Sequence, residues 1–491
     1  MKFKIIGAAV CLIMLVVCVA AFSFAEPDGA RRYHQHLEAS PKAPCVHTDS
    51  TLCTHLPLVS IDTGNQEIPG RAITRDGRVI GYTTTPDGSD RITASISVFD
   101  SEEHNNHVTD TPAVSSDITI HVRGNSSRRF DKAGYRIKLV DETGQKNPQS
   151  IMGMNAHEDW ALHGPFLDKT LIRNYMWYNI AGEIMDYAPG VRFCELVVDG
   201  EYMGVYVMTE TITAGDEHGR INISADGDSG FMSGYVLLLD RKDNIERDHL
   251  KSFTTYTMRT KHKLEIVYPG DMQLTPKLYE NIKKDFSAFE KSLYSYDYND
   301  ENYGYKNLID VESFADYFII NEFTSNYDAG WLSTYMYKDA DDRLRMCIWD
   351  FNSACDNYQE SQLDLQHFEM QNCLWYFMLM KDDEFTELCI DRYRQLRKTY
   401  LSEEYLENYI DETVAYLGDA IERNYDRWGY SFEEEYDMLK PEHRNPRTYE
   451  QSIRQLKTFI KERGRWIDDN IESVRQYSSA SKIKKFNETA N

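Results

Sequence analysis

The spacing of apolar and polar residues predicts β-strands in the first half of the chain. Two longer apolar runs, Phe193–Val198 and Met203–Met208, flank Asp199-Gly200, which is a strong signal for a β-hairpin. Shorter runs alternate between apolar and polar positions and are separated by turn residues, as expected for half-buried strands: Leu58–Ile61, Ile92–Val98, Ile118–Val122 and Gly234–Asp240.

Apolar spacing of three and four residues predicts helices in the second half, after Pro276. One such helix starts at Asp310, and helices continue from about Asp364 to Tyr477. A single hairpin, Thr334–Trp349, interrupts them. An earlier segment, Asp168–Met185, is apolar on all sides and predicts a largely buried helix capped by Asp168.

Strands followed by helices predict an α+β fold in one unit spanning residues 55–477. We expect a strand-rich lobe over about 55–240 and a helical lobe over about 275–477.

The first 25 residues have the pattern of a secretory signal peptide. Lys2 and Lys4 precede the apolar run Ile5–Phe22, and Ser23-Phe24-Ala25 supplies small residues for cleavage. We therefore expect a secreted or cell-surface protein without a later membrane span; an uncleaved N-terminal anchor is the alternative. Residues 26–54 are predicted to be a flexible leader and residues 478–491 a polar tail.

Composition narrows the function classes. The 491 residues are 41% apolar, enough to fill a core, and carry a net charge of −25, which disfavours nucleic-acid binding. The chain has no C-x-x-C, H-E-x-x-H, G-x-S-x-G or Gly-rich nucleotide motif, so structural zinc and the common hydrolase and nucleotide folds are not indicated.

The predicted hairpin Thr334–Trp349 brings its two ends together. An antiparallel hairpin returns to its starting end, so Asp328, just before it, should approach Asp350 and Asn352, just after it. Oxygen ligands on loops suit Mg²⁺ or Mn²⁺, and the second carboxylate could orient a hydroxyl. The alternative is that these residues only form turns.

A second candidate lies between two predicted strands. Arg123-Gly124-Asn125-Ser126-Ser127 is a small-residue turn, followed by Lys132 and then Lys138 on the returning strand. Backbone N–H groups at Asn125 and Ser126 and either lysine could bind phosphates. An ordinary turn with solvated lysines is the alternative.

Five sequence blocks in order resemble the spore-coat protein H (CotH-like) kinase family. They are R-G-N-S-S at 123–127, Y-R-I-K-L at 135–139, G-P-F-L-D-K-T-L-I-R-N at 164–174, V-D-G-E-Y-M-G-V-Y-V-M-T-E at 198–210 and W-D-F-N at 349–352. The resemblance implies a diverged, two-lobed protein-kinase-like fold. It also implies transfer of phosphate from ATP, with Mg²⁺ or Mn²⁺, to serine in coat or surface proteins.

The resemblance assigns roles to individual residues. Asp350 would be the metal-binding aspartate with Asn352 beside it, and Asp328 the aspartate that orients the acceptor hydroxyl. Glu183 could partner the phosphate-binding lysine, and Glu210 would lie where a kinase hinge begins.

The chain departs from the family pattern near Asp350. Many members have a second aspartate at the position of Asn352 and Phe-Gly at Cys355-Asp356, and kinases usually have asparagine at the position of Ser333. A non-enzymatic scaffold of the same fold is therefore the main alternative. A glycosidase built on Asp328 and Asp350 is a third hypothesis.

Overall fold

A computed structural model describes residues 32–43, 52–215, 220–223, 234–241, 249–257, 259–270, 273–340 and 342–478. The predicted signal peptide, residues 26–31 and 44–51 of the predicted leader, and residues 479–491 of the predicted tail lie outside these ranges. The chain separates into residues 1–34 and 35–491. The first unit is described only at residues 32–34, and the elements below belong to the second.

The described strands are β1 Leu58–Asp62, β2 Ala72–Arg75, β3 Arg78–Tyr82, β4 Ile92–Phe99, β5 Val114–Val122, β6 Tyr135–Val140, β7 Asp159–His163, β8 Val191–Val198, β9 Glu201–Glu210, β10 Ala214–Gly215, β11 Ile221–Asn222, β12 Tyr235–Asp240, β13 Lys263–Tyr268, β14 Thr334–Lys338 and β15 Arg345–Cys347. The predicted strands and the hairpin at Asp199-Gly200 are present as β1, β4, β5, β8, β9 and β12.

The described α-helices are α1 Gln35–Glu38, α2 Arg173–Ile184, α3 Phe253–Tyr256, α4 Pro276–Leu293, α5 Val311–Thr324, α6 Tyr376–Leu379, α7 Asp383–Leu396, α8 Glu403–Leu417, α9 Asp419–Trp428, α10 Tyr449–Asn470 and α11 Arg475–Ser478. Asp310 caps α5 as predicted, because its carboxylate accepts the N–H of Ser313 at 3.0 Å.

Seven strands of the first half close into a barrel in the order β1-β4-β5-β6-β7-β9-β8. The closing pair, β1 with β8, is parallel, and the other neighbours are antiparallel. Alternate residues of each strand fill an apolar interior, as the period of two requires; Ile118, Ile120 and Val122 on β5 are examples.

Helix α2 is buried as predicted but shorter, because residues 168–172 form a loop. The Asp168 carboxylate accepts the N–H groups of Thr170 at 3.1 Å and Arg173 at 2.9 Å. Those bonds hold a turn before the helix, so the helix begins at Arg173 and not at Asp168.

A second sheet joins the two halves of the chain. Its four antiparallel strands are ordered β13-β12-β14-β15, and β12 pairs with β14 from Tyr235 opposite Lys338 to Leu239 opposite Thr334. The sequence placed β12 in the strand-rich lobe, whereas the structure pairs it with the hairpin of the helical half. One edge of this sheet carries the end of β12, the starts of β13 and β14, and the end of β15.

The predicted α+β class, with strands in the first half and helices in the second, is confirmed. In the part of the chain described here, no helix has the length and apolar character needed to cross a membrane.

Candidate functional site

The predicted hairpin is present and ends at one sheet edge. Tyr335 pairs with Cys347 and Tyr337 with Arg345. The connecting turn is held partly by Asp339, whose carboxylate accepts the N–H of Ala340 at 2.8 Å. Asp339 is therefore a turn former.

Asp350 follows the second hairpin strand, and hydrogen bonds to two side chains of α2 hold its backbone in place. The backbone N–H of Asp350 donates to the hydroxyl of Tyr178 at 2.9 Å, and the N–H of Phe351 donates to the Asn174 side chain at 2.8 Å. Tyr178 and Asn174 lie four residues apart and so share one face of the helix. Asp350 itself has φ +61°, a left-handed conformation that Asp and Asn adopt more readily than most residues.

Asp328 lies in the loop that precedes the first hairpin strand. Its backbone carbonyl accepts the N–H groups of Trp331 at 3.1 Å and Leu332 at 2.7 Å, which closes a turn. The N–H of Gly330 donates to the Thr334 hydroxyl at 2.9 Å and ties the loop to the start of β14. The backbone of the loop is thus fixed by internal hydrogen bonds, and the Asp328 carboxylate takes no part in them.

The two carboxylates interact electrostatically. Burial raises the pKa of Asp350 to about 6, with further increases from Asp328 and Asp240, against the lowering effect of Arg123. Burial is also the main reason why the pKa of Asp328 is raised. Within the described part of the chain, neither carboxylate forms an ion pair or a hydrogen bond. Both acids therefore remain available to bind a cation or a substrate.

Three residues that the sequence did not single out lie near these acids. Asp240 is the last residue of β12, Arg241 follows it, and His262 precedes β13, at the edge where the hairpin ends. Asp240 raises the pKa of both Asp328 and Asp350, and Arg241 lowers both. Their only sequence signal was a position at strand ends, and the pairing of β12 with β14 was needed to bring them here.

Arg123 is the basic group with the strongest effect on Asp350. Its guanidinium carbon lies 5.3 Å from the centre of the Trp349 ring, next to Asp350 in the sequence. Gly124 follows with φ +107°, and a Cβ there would lie 1.9 Å from the Ser127 hydroxyl, so the turn requires glycine. This glycine-dependent turn positions the loop beside the carboxylates.

The two candidate lysines have different surroundings. Lys132 is buried, and its ammonium donates to the side-chain oxygen of Asn424 at 2.6 Å and lies 5.2 Å from the Tyr206 ring centre. Burial and then Lys169 lower its pKa well below the ordinary value. Lys138 is exposed on β6, where it pairs in register with Asp159 of β7. Neither is among the groups that act most strongly on Asp350.

The remaining candidates divide between the site and the structural framework. Asn125 and Ser126 are exposed at the start of a 3-10 turn, Ser126–Arg129, in the loop that begins at Arg123. Asn352 is partly buried two residues after Asp350, and its carbonyl accepts the side-chain N–H of Asn357 at 2.7 Å.

Glu183 and Glu210 have partners within the framework. Glu183 accepts a hydrogen bond from the Tyr400 hydroxyl at 3.2 Å. Glu210 accepts the N–H of Gly190 at 2.7 Å and lies 3.8 Å from Arg220.

Two residues at this edge could hold a divalent cation. Asp328 and Asp350 are partly buried acids without an ion-pair partner among the described residues, and Asn352 lies two residues after Asp350 in the chain. Among those residues, no group of three or more His, Cys, Asp and Glu side chains could hold a metal. Two protein acids are sufficient for Mg²⁺, because phosphates and water commonly complete its coordination.

A cavity of about 230 Å³ opens beside Asp328. Its wall includes His262, Tyr327, Trp331 and Met370, with Arg463 at one side. The Arg463 guanidinium donates to the carbonyl and the carboxylate of Glu322, near the end of α5, and so connects α10 to α5. The cavity is large enough for one side chain.

A sequence model described as CotH kinase protein matches residues 120–467, which include the loop of Arg123, both hairpin acids and most of α10. The chain belongs to the CotH kinase family. A comparison with curated proteins gave no significant match.

Proposed function

We propose that this CotH-family protein is an exported kinase that transfers the terminal phosphate of ATP to serine in surface or coat proteins, with Mg²⁺ or Mn²⁺. The observation that supports this best is the position of two partly buried acids, Asp328 and Asp350, at the two ends of one hairpin. The proposal includes a diverged bilobed kinase-like arrangement, in which the closed barrel is the nucleotide-side lobe.

The roles that we propose for Asp350, Asn352 and Asp328 follow from their positions at the two ends of the hairpin. Asp350, with Asn352, would hold the metal, which neutralises charge on the phosphate oxygens when bound. Asp328 would accept a hydrogen bond from the acceptor hydroxyl and orient it. Tyr178 and Asn174 fix the backbone that carries Asp350, so the carboxylate is already positioned before substrates arrive.

The phosphate charge needs a basic partner, and Arg123 is the best placed. Its planar guanidinium can donate two parallel hydrogen bonds to one phosphate. The backbone N–H groups of Asn125 and Ser126, exposed residues of the same loop, are further candidate donors. Lys132 and Lys138, the residues favoured by sequence alone, remain candidates that mutation can separate from Arg123.

The acceptor would enter at the cavity beside Asp328. The cavity of about 230 Å³ can hold one neighbouring side chain of an extended peptide while a serine hydroxyl approaches Asp328. Serine-rich segments of surface proteins are the proposed acceptors.

The decisive experiment measures phosphate incorporation from labelled ATP by the purified protein. Asp350→Asn should reduce incorporation by about 10²-fold or more, because it removes one metal-binding carboxylate. Asparagine is a better replacement than alanine, since it tolerates the left-handed φ of +61°. Asp339→Asn, in the turn of the same hairpin, is the matched control and should keep full activity. Unchanged incorporation by Asp350→Asn would refute the site assignment.

A non-enzymatic coat or surface scaffold is the second candidate. It is favoured by Asn352 and Ser333, which stand where related kinases carry other metal-binding residues. Its distinguishing property would be the absence of nucleotide binding.

A further inference from the structure

A two-stranded ribbon formed by β2 and β3 extends from the barrel. Among the residues that the structure describes, these strands pair only with each other, and no other strand pairs with either outer edge. Four large apolar side chains on the ribbon are between 41% and 56% exposed: Ile73, Val79, Ile80 and Tyr82. Exposed apolar groups concentrated in one short element are typical of an interaction surface.

Two arginines face each other at the tip of the ribbon. Arg75 pairs directly with Arg78 across the turn Asp76-Gly77. Like charges in directly opposed positions destabilise a β-ribbon. Neither guanidinium forms an ion pair with any of the residues that the structure describes. A chain with a net charge of −25 therefore holds two unpaired arginines side by side.

The base of the ribbon is joined to the loop of the candidate site. Arg71 donates to the carbonyls of Phe130 at 3.0 Å and Asp131 at 3.2 Å. Arg128 lies 4.2 Å from the centre of the Tyr82 ring. The same loop begins at Arg123, which contacts Trp349 next to Asp350. The ribbon is therefore fixed relative to the site, with its tip roughly 15 Å from its base.

The basic residues in this region are arginines. No lysine occurs between Lys42 and Lys132, and the positive charge there comes from seven arginines: Arg71, Arg75, Arg78, Arg91, Arg123, Arg128 and Arg129. The guanidinium fork matches phosphate geometry better than an ammonium does. Two adjacent forks beside an open strand edge could bind a phosphate group while the backbone of an extended peptide pairs with the edge.

We propose that the β2–β3 ribbon binds a phosphoserine-bearing, extended segment of the acceptor protein. This inference rests on the proposed function, because that reaction would produce the phosphoserine. Binding at the tip would hold a partly phosphorylated acceptor while another serine enters beside Asp328. The acceptors would then be serine tracts that are phosphorylated at several positions.

The test is the binding of labelled peptides to the full mature chain, measured by fluorescence anisotropy. A peptide of about ten residues that alternates phosphoserine and alanine should bind at least about tenfold more tightly than the same peptide with serine or glutamate. Arg75→Ala with Arg78→Ala should weaken that binding by about tenfold or more. Arg75→Lys with Arg78→Lys should weaken phosphopeptide binding by a smaller factor, because the positive charge is kept and only the two-pronged guanidinium geometry is lost.

The controls separate this inference from the proposed function. Arg454→Ala with Arg465→Ala removes two exposed arginines of α10 and should leave peptide binding unchanged. Asp350→Asn should also bind the phosphopeptide normally, so loss of phosphate transfer would not affect this test.

Three results would refute the inference. The alanine pair at the tip could keep wild-type affinity, or the glutamate peptide could bind as tightly as the phosphopeptide. The third is that the alanine pair changes only the sedimentation of the protein, which would make the ribbon a contact between two copies of this chain.

Discussion

At the scale of single residues, Asp350 combines function with a cost in stability. Its backbone is left-handed, and its carboxylate is partly buried near two other acids, Asp328 and Asp240. Such an arrangement persists only when the surrounding structure enforces it, here through the hydrogen bonds that the N–H groups of Asp350 and Phe351 donate to Tyr178 and Asn174. Without a bound cation, the wild-type protein is therefore expected to be less stable than a variant in which residue 350 carries no charge.

Asp350→Asn should stabilise the metal-free protein at neutral and higher pH. The pKa of Asp350 is raised from 3.8 to about 6 in the folded state, mainly by burial. The protonated Asp350 side chain therefore contributes to the free energy of unfolding below about pH 4. That contribution is lost as the pH rises through about 6 and the carboxyl group becomes charged. We expect the variant to gain about 1–2 kcal/mol in unfolding free energy at pH 8 and almost nothing at pH 4. Urea unfolding in EDTA at both pH values measures this, and an equal gain at both would contradict it.

Arg123 and Lys138 can be distinguished as phosphate-binding residues by the effects of their variants on ATP use. Arg123→Ala should lower kcat/KM for ATP by about 10²-fold, and Arg123→Lys should recover part of it, because only the fork is lost. Lys138→Met should have a small effect, since its ammonium is exposed on β6. Arg91→Ala, on the barrel surface beside Asp90, is the matched arginine control. A full loss with Lys138→Met and none with Arg123→Ala would reverse the assignment.

At the scale of elements, helix α9 packs against strand β9 of the barrel and so connects the barrel to the helical half of the chain. The side-chain oxygen of Asn424 accepts hydrogen bonds from Lys132 at 2.6 Å and from the N–H of Val205 at 3.1 Å. Gly204 allows this approach, because a Cβ there would lie 2.5 Å from the Asn424 oxygen. The buried ammonium of Lys132 thus depends on one helix that is distant in sequence.

Asn424→Ala should destabilise the fold by about 2–4 kcal/mol, because two buried donors lose their acceptor. Lys132→Met should cost less than that, since it removes the donor together with its charge. Asp426→Ala, on the exposed side of the same helix, should change stability by less than about 0.5 kcal/mol. Denaturant unfolding of the three variants checks the order. Equal stability of Asn424→Ala and Asp426→Ala would show that the contact is not needed.

At the scale of the whole molecule, nucleotide binding separates a kinase from a scaffold. A ligand that binds only the folded state stabilises it by about 2.7 kcal/mol at one hundred times its Kd. Millimolar ATP with Mg²⁺ should therefore raise Tm by roughly 2 °C or more. Asp350→Asn should lose the part of the shift that requires metal, whereas Asp339→Asn should keep it. The absence of any shift in the wild-type protein would favour the scaffold.

The sequence predicted much of the fold, because its signals were local. Period-two alternation predicted β1, β4 and β5, and Asp199-Gly200 predicted the hairpin of β8 and β9. The start of α2 was placed five residues too early, since the side chain of Asp168 holds a turn that apolar spacing does not reveal. Elements whose structure is set by residues adjacent in the sequence were therefore the most predictable.

By itself, the sequence determined that Asp328 and Asp350 lie at the two ends of one hairpin, because an antiparallel turn has only one return path. Only the tertiary structure decided the rest of the site. The pairing of β12 with β14 brings Asp240 and Arg241 to the same edge of the sheet. The side chain of Asn424 accepts a hydrogen bond from the buried ammonium of Lys132. These contacts join residues far apart in the chain, and the packing that selects them is a property of the whole fold, not of any local pattern.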